Sequence, residues 1–316
     1  MTPQLGPGMT TSPALLYVPP QISSYFSSEP CNVESQKKHS RQFSFEFFPP
    51  KTDEGQEKLR STWHALAALK PRFFSCTYGA GGSTRERTLQ TVMDILDAGF
   101  DAAPHLSCIG SSRAELAATL ALYRARGIRH LVALRGDLPS GMASAGELRY
   151  ASELVQFIRQ TSGDHFHIEV AAYPEFHPQA RSADDDLQAF RRKVEAGANS
   201  AITQYFYNAD AYFRFIDACE AMQIRIPIVP GIMPIGNFSQ LARFSDACGA
   251  EIPRWLRLKM QSYGDDSASI RALGLDVVSR LCEQLLAAGA PGLHFYTMNQ
   301  SAATMAIWKN IEKSIT

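Results

Sequence analysis

Phe43-Ser44-Phe45-Glu46-Phe47-Phe48-Pro49-Pro50-Lys51 is the stretch on which the reading of the fold turns. It reads as a buried strand: four phenylalanines surround one acid, and two prolines end the strand directly after it. From here the chain repeats one unit, a short apolar run ending in a polar cluster and followed by an amphipathic helical stretch. Strands are predicted at 43–48, 72–78, 102–108, 130–136, 167–173, 200–206, 227–233 and 292–298. Helices are predicted near 54–69, 84–98, 111–126, 146–162, 183–197, 209–223 and 237–248, then near 253–261, 268–289 and 301–313. Gly99, Gly127, Gly197 and Gly289 stand where helix C-terminal caps belong. Strands separated by helices run parallel. Eight such units in roughly 270 residues predict an α/β fold, a (β/α)8 TIM barrel of eight parallel strands with extra helices before the last one. The runner-up is a doubly wound open sheet, which carries a glycine-rich phosphate turn after its first strand. Here that turn is Pro49-Pro50-Lys51, and the barrel is preferred.

Residues 1–40, rich in Pro, Ser, Thr and Gln and without periodicity, read as a disordered or irregular extension with at most a late helical turn. Residues 41–316 read as a single barrel domain. Among its 316 residues, 31 basic and 31 acidic side chains balance, which gives no pull toward nucleic acid or an anionic membrane. No apolar run approaches the roughly 18 residues of a membrane span. No charged segment leads into an apolar one at the N-terminus, so no signal peptide is expected. The six cysteines, at 31, 76, 108, 219, 248 and 282, show no CxxC spacing. A reduced cytoplasmic protein without structural zinc is the simplest expectation. No metal-ligand spacing and no nucleophile elbow is present, which argues against a metalloenzyme or a serine hydrolase.

In a barrel the active site lies at the C-terminal strand ends. Read in order, those ends offer Glu46, Thr77-Tyr78, His105 with Ser107, Arg135-Gly136-Asp137, Tyr173 with Glu175 and His177, Gln204-Tyr205, and Tyr296 with Asn299. Pro230-Gly231-Ile232-Met233-Pro234 is nearly apolar and suits packing on a flat ring. Glu46 is the sharpest of these. Desolvation disfavours an ionised carboxylate and raises its pKa, which is what a general acid near neutral pH requires. The other reading is a structural ion pair with Arg or Lys. His105 reads equally as a core histidine, and Gly79-Ala80-Gly81-Gly82-Ser83 as a plain turn or an anion nest. Arg191-Arg192-Lys193 reads as a solvated helix face or a partner for a diphosphate. Two acids, several donors and many aromatics around one mouth point to a large planar heterocycle as ligand.

Taken together, these motifs resemble the methylenetetrahydrofolate reductase family in its short, bacterial-type catalytic form. The resemblance rests on Phe45–Lys51, Thr77-Tyr78-Gly79-Ala80, Ala103-Pro104-His105-Leu106, Ala133–Asp137, Ala172–Pro178, Ile202-Thr203-Gln204, Pro230–Pro234 and His294–Asn299. It implies an FAD-binding barrel in which hydride passes from NADH or NADPH to flavin. The flavin then passes it to 5,10-methylenetetrahydrofolate, giving 5-methyltetrahydrofolate for methionine synthesis. It implies Glu46 as the general acid that helps open the folate ring, and Asp137 as the charge beside flavin and pterin. It assigns FAD contacts to Thr77, Tyr78, Ala80, His105, Arg135, Gly136, Asp137, Ala151, Tyr173, His177, Ala180, Asp186, Arg192 and Lys193. Gln204, Gln240, Phe244 and Gln300 fall at its substrate positions, Phe244 resembling an aromatic that stacks in turn on folate and on the nicotinamide cofactor. Homo-oligomers are common in the family. The regulatory extension of NADPH-using eukaryotic members does not follow the barrel here, which turns the expectation toward NADH. Two positions depart from the family pattern: Ala189 stands where Asn is frequent, and Gln300 where Arg meets the folate glutamate tail. The competing readings are another FAD barrel, such as a proline dehydrogenase-like enzyme, and a flavin-free folate-binding barrel. Fold alone does not separate them.

Overall fold

The structure, a computed structural model, describes residues 32–78, 85–137 and 146–315. Ala80, the rest of the Gly79–Ser83 loop and residues 1–31 lie outside the described residues. The strands are β1 (Gln42–Phe47), β2 (Phe73–Cys76), β3 (Ala102–Ser107), β4 (His130–Leu134), β5 (His167–Ala172), β6 (Ser200–Thr203), β7 (Ile228–Val229), β8 (Gly231–Ile232) and β9 (Gly292–Tyr296). The helices are α1 (Glu34–Lys37), α2 (Asp53–Ala67), α3 (Arg85–Asp97), α4 (Arg113–Ala125), α5 (Ala151–Ser162), α6 (Ala183–Glu195), α7 (Ala209–Ala221), α8 (Phe238–Cys248), α9 (Arg254–Ser262), α10 (Ser267–Ala288) and α11 (Ala302–Ile315). Every strand pairing is parallel, in the order β7-β6-β5-β4-β3-β2-β1-β9-β8.

β7 and β8 are the two halves of the predicted seventh strand, parted by Pro230. β7 pairs with β6 and β8 with β9, so the ring closes through this one residue. Proline has no N–H to give to a ladder. Its carbonyl still accepts from His294 N at 2.9 Å, and Gly231 N turns to the Thr203 side chain, Oγ1, at 2.9 Å. A Cβ on Gly231 would stand 2.1 Å from Thr203 O, so only glycine fits the join. Helix α5 begins at Ala151 rather than near 146, because Gly146 has φ +84° and Glu153 Oε2 accepts from Arg149 N at 2.6 Å and Tyr150 N at 3.2 Å. Val33 and Gln36, in and before α1, are buried against the barrel, where Gln36 Oε1 accepts from Ile228 N at 2.9 Å.

Alternation along β1 decides what surrounds Glu46. Side chains two apart share a face. Phe45 and Phe47 point outward to Phe74, at ring distances of 6.0 and 5.6 Å, in the layer that also holds Trp63 and Trp308. Ser44 and Glu46 therefore point inward. The aromatic surround expected of Glu46 lies on the opposite face of its strand. Inside the barrel, Phe73, Ala103, Val132 and Ile202 form an apolar cluster, with Leu134 and Tyr296 against it.

Candidate active site

Glu46 sits next to last on β1, inside the barrel, with its side chain 16% exposed toward the mouth. Two histidines meet it. His105 of β3 brings Nε2 to 3.2 Å from Glu46 Oε2, and His294 of β9 brings Nε2 to 3.4 Å from the same oxygen. The His105 contact is close but poorly aligned, leaving its Nε2 without a true hydrogen bond. His294 is held from its far side as well, with Nδ1 at 2.7 Å from Ser44 Oγ. Burial pushes the Glu46 carboxyl up, but His105 and His294 outweigh it and hold the group down at about 2. The expectation of a carboxyl raised by its surroundings is thereby corrected: the two imidazoles hold Glu46 below the usual carboxylate range.

The end of β9 fixes this acid. Thr297 Oγ1 donates to Glu46 O at 2.7 Å. Asn299, at φ +55°, donates from Nδ2 to Phe48 O at 2.8 Å and accepts at Oδ1 from Phe48 N at 3.0 Å. Met298 beside it is also left-handed, at φ +53°. Two successive non-glycine residues in that region are costly and persist where the surroundings over-determine them. Here the amide clamp on Phe48 does so.

The second group of site residues gathers at the ends of β4 and β5. Tyr173 stacks edge-on against His177 at 4.7 Å. Burial raises the Tyr173 hydroxyl to about 12, with Asp186 and Asp137 adding to the rise and Arg135 opposing it. Burial likewise lowers His177, whose charged neighbours are Arg135, Asp186, Lys193 and Asp137. These residues thus lie within one another's field. Asp186 Oδ2 accepts from His177 N at 2.9 Å, and Ala180 N closes a turn on His177 O at 2.8 Å. Lys193 is turned inward, donating to Ala171 O at 2.6 Å, and burial lowers it to about 8. Arg135 reaches Gln179 Oε1 at 2.6 Å. Gly136, at φ +85°, passes so close to Ser107 that a Cβ would meet its side chain at 2.7 Å. Ala151 opens α5 and Arg192 is exposed on α6.

Of the other predicted residues, Gln204 stands beside Tyr173 of this cluster. Tyr78 is half-buried near Arg85, Glu115 and Tyr123, on the side of α3 and α4. Thr77 is tied by its backbone, N to Phe47 O at 2.8 Å and O to Thr88 Oγ1 at 2.8 Å. Gln204 lines a small cleft with Tyr173, Glu175, Phe176, Tyr205 and Cys248, and its Oε1 accepts from Tyr205 N at 3.0 Å. Gln240 and Phe244 are exposed on α8, and Gln300 is exposed just past β9. Two contributors stand in the sequence reading without a role of their own. His294 was visible only as one letter of a motif, although its spacing from Tyr296 puts both on the inner face. Glu175, raised to about 7 chiefly by burial, stands in the Gln204 cleft and accepts from Glu251 N at 2.8 Å.

Parallel strands closed into a ring, with polar residues gathered at the C-terminal ends, define a barrel of the TIM-barrel enzyme class. The family profile for methylenetetrahydrofolate reductase matches residues 32–312. The 5,10-methylenetetrahydrofolate reductase of Salmonella typhimurium is 42% identical over 265 residues, covering 84% of this chain and 88% of its own. That of Escherichia coli is 43% identical with the same coverage. A Clostridium thermocellum protein described as binding two copies of 5-methyl-5,6,7,8-tetrahydrofolic acid superimposes with a TM-score of 0.60 over 89% of this chain and 97% of its own. At 16% identity, that likeness concerns the fold alone. The chain belongs to the methylenetetrahydrofolate reductase family and is an oxidoreductase enzyme. No helix among the described residues is long and apolar enough to cross a membrane.

Proposed function

We propose that this protein reduces 5,10-methylenetetrahydrofolate to 5-methyltetrahydrofolate, with NADH or NADPH as donor and FAD as the intermediate carrier in a ping-pong cycle. Family membership supports folate reduction. The observation that carries the chemistry is Glu46, one carboxylate at the mouth between two imidazoles.

The residues at the β4 and β5 ends fit FAD. Arg135, Arg192 and Lys193 supply cations for an anionic diphosphate, and Lys193 keeps donors beyond the one given to Ala171. Gly136 gives the backbone close passage past Ser107. FAD, when bound, supplies a carrier that accepts hydride from the nicotinamide and releases it to the folate one-carbon unit. Opening the folate ring requires a proton on a weakly basic nitrogen, leaving a cationic iminium on the substrate. Glu46 delivers that proton, and because the free carboxyl is ionised, the proton belongs to the Glu46–His105–His294 cluster rather than to Glu46 alone. Asp137 places a negative charge near the developing cation. Gln204 keeps its amide NH2 for a pterin edge, since Oε1 is already engaged by Tyr205 N. Phe244, 40% exposed, offers a flat face for stacking beside Gln240.

The test is anaerobic. Flavin bound to the purified protein should bleach with NADH or NADPH and return to the oxidised spectrum on adding methylenetetrahydrofolate. A protein that purifies without flavin, or whose reduced flavin is reoxidised by proline-pathway substrates and not by the folate, would refute the proposal.

A further inference from the structure

Ser44, Glu46 and His294 line up inside the barrel across one strand pairing. Ser44 lies opposite His294, and Glu46 opposite Tyr296. His294 is wholly buried, yet both ring nitrogens are engaged, Nδ1 with Ser44 Oγ at 2.7 Å and Nε2 with Glu46 Oε2 at 3.4 Å. With Nε2 turned to Glu46, Nδ1 is left to the Ser44 hydroxyl, so each ring nitrogen has its own partner. The backbone is pinned too, since His294 N donates to Pro230 O at the break in the seventh strand. Desolvating an imidazole costs free energy that an apolar side chain of similar size would not. Packing alone does not explain a histidine here.

The other titratable groups within the field of Glu46 are His105 on β3, Tyr296 on β9 and Cys76 on β2, the last paired with Phe47 on the outer face. Burial and the Glu46 charge raise both the Tyr296 hydroxyl and the Cys76 thiol, so neither offers a counter-charge. Tyr296 instead gives its hydroxyl hydrogen to Thr203 O at 2.8 Å. His105 is near but misaligned. His294 alone is anchored at both ends.

We propose that His294, seated by Ser44, is a positioning residue for the reaction proposed above: it fixes Glu46 Oε2 and governs when Glu46 carries a proton. The inference rests on the folate-reductase reading for its consequence, but the coupling itself is testable without substrate. Carboxyl-13C glutamate labelling of the full protein, with the Glu46 signal assigned by its loss in Glu46→Gln, reports the charge of this one group from pH 2 to 9. In the wild type the signal should stay that of a carboxylate down to about pH 3. In His294→Gln the protonation midpoint should rise by about 1 unit or more, because burial persists while one partner is lost. Ser44→Ala should move it the same way by less. The pH profile of single-turnover reoxidation of dithionite-reduced protein by methylenetetrahydrofolate should shift upward in parallel. A folded His294→Gln protein with the wild-type carboxyl titration and pH profile overturns the proposal. If that variant does not fold, an unmoved titration in Ser44→Ala overturns it instead. Failure of the folate to reoxidise the wild type sinks the proposed function, while the carboxyl titration still decides whether His294 controls Glu46.

Discussion

Glu46 on β1 and Glu169 on β5 are built from the same parts. Each is a carboxylate pointing into the barrel, each has a histidine Nε2 at 3.2 Å, and each has a serine hooked to a histidine of its cluster. His167 Nε2 lies 2.7 Å from Ser200 Oγ as His294 Nδ1 lies 2.7 Å from Ser44 Oγ. Their surroundings differ. Glu46 is 16% exposed toward the mouth, whereas Glu169 is 1% exposed, with Val132 and Ile202 of the apolar cluster on the strands that flank it. Glu169 Oε2 has no hydrogen-bond partner. Burial pushes its carboxyl up, but His167, Ser200 and His130 prevail and hold it below the usual carboxylate range. On the proposed function, similar parts serve as a reactive group where they reach the mouth and as an internal strut where they do not. Depth in the barrel assigns the role.

The sharpest way to break this comparison is to neutralise each acid in turn. Glu46→Gln should fold, bind flavin and accept hydride from the nicotinamide, yet lose about 10³-fold in the rate of folate-driven flavin reoxidation. Stopped-flow measurement of the two half-reactions separates these outcomes. Wild-type-like reoxidation would remove Glu46 from the chemistry. Glu169→Ala should do the reverse, leaving the half-reactions near wild type and lowering stability by about 3 kcal/mol at neutral pH, since it strips a buried pair of one partner. Because the Glu169 pKa is lowered in the folded state, its stabilising contribution is complete above the unfolded value and fades as pH falls through the folded one. The stability gap between variant and wild type, read from urea unfolding, should therefore close in acid. A gap that is constant with pH would mean that the cost is cavity formation and not lost charge pairing.

The argument that singles out Glu46 in the sequence, an acid within an apolar strand, applies equally to Glu169 in His167-Ile168-Glu169-Val170-Ala171-Ala172. Nothing local separates them. Their depths follow from the register by which eight strands close, a property of the whole ring. Periodicity and punctuation did carry the strand and helix series, because each unit repeats the same apolar run and several helices end at a glycine. They carried Tyr173 and His177 to one strand end as well, since strand ends converge in any such barrel, whereas Asp186 and Lys193 came from the family resemblance. The break at Pro230 was hidden inside an apolar run, where strand continuity depends on backbone donors rather than hydrophobicity. The partners of Glu46 were hidden because an inward histidine looks alike whether it fills the core or clamps an acid.

A third test sharpens the floor side of the comparison. His130 stacks on Phe73 at 5.1 Å and meets His167 edge-on at 4.8 Å, with its Nε2 buried and unpartnered. Burial, with the His167 and Arg72 charges adding to it, lowers this imidazole from 6.5 to about 4. A depressed histidine leaves the unfolded chain binding more protons, so stability is full above the unfolded value and falls as pH drops from 6.5 toward 4. Between pH 7 and 5 the wild type should lose about 2 kcal/mol from this group. His130→Phe keeps the ring stack and removes the titration, so its unfolding free energy should be flatter across that interval. Equal slopes for the two proteins would show that folding leaves the proton affinity of His130 unchanged.

The smallest effect is expected at the rim. Gln300 is exposed one residue past the Asn299 clamp, with its backbone N donating to Thr297 O at 3.0 Å. A neutral amide can hydrogen-bond the glutamate tail of a folate but lacks the charge-assisted fork of an arginine. Gln300→Arg should therefore lower the KM for methylenetetrahydrofolate while leaving kcat nearly unchanged, because a tail contact binds ground and transition states alike. The gain should be about 1 kcal/mol at low salt and shrink as salt rises, as wet and screened ion pairs do. Steady-state folate kinetics at two ionic strengths make the measurement. If kcat rose while KM stayed fixed, the rim would be coupled to Glu46, and depth would no longer separate the groups that bind from the group that reacts. An unchanged KM at low salt would place the tail away from Gln300 altogether.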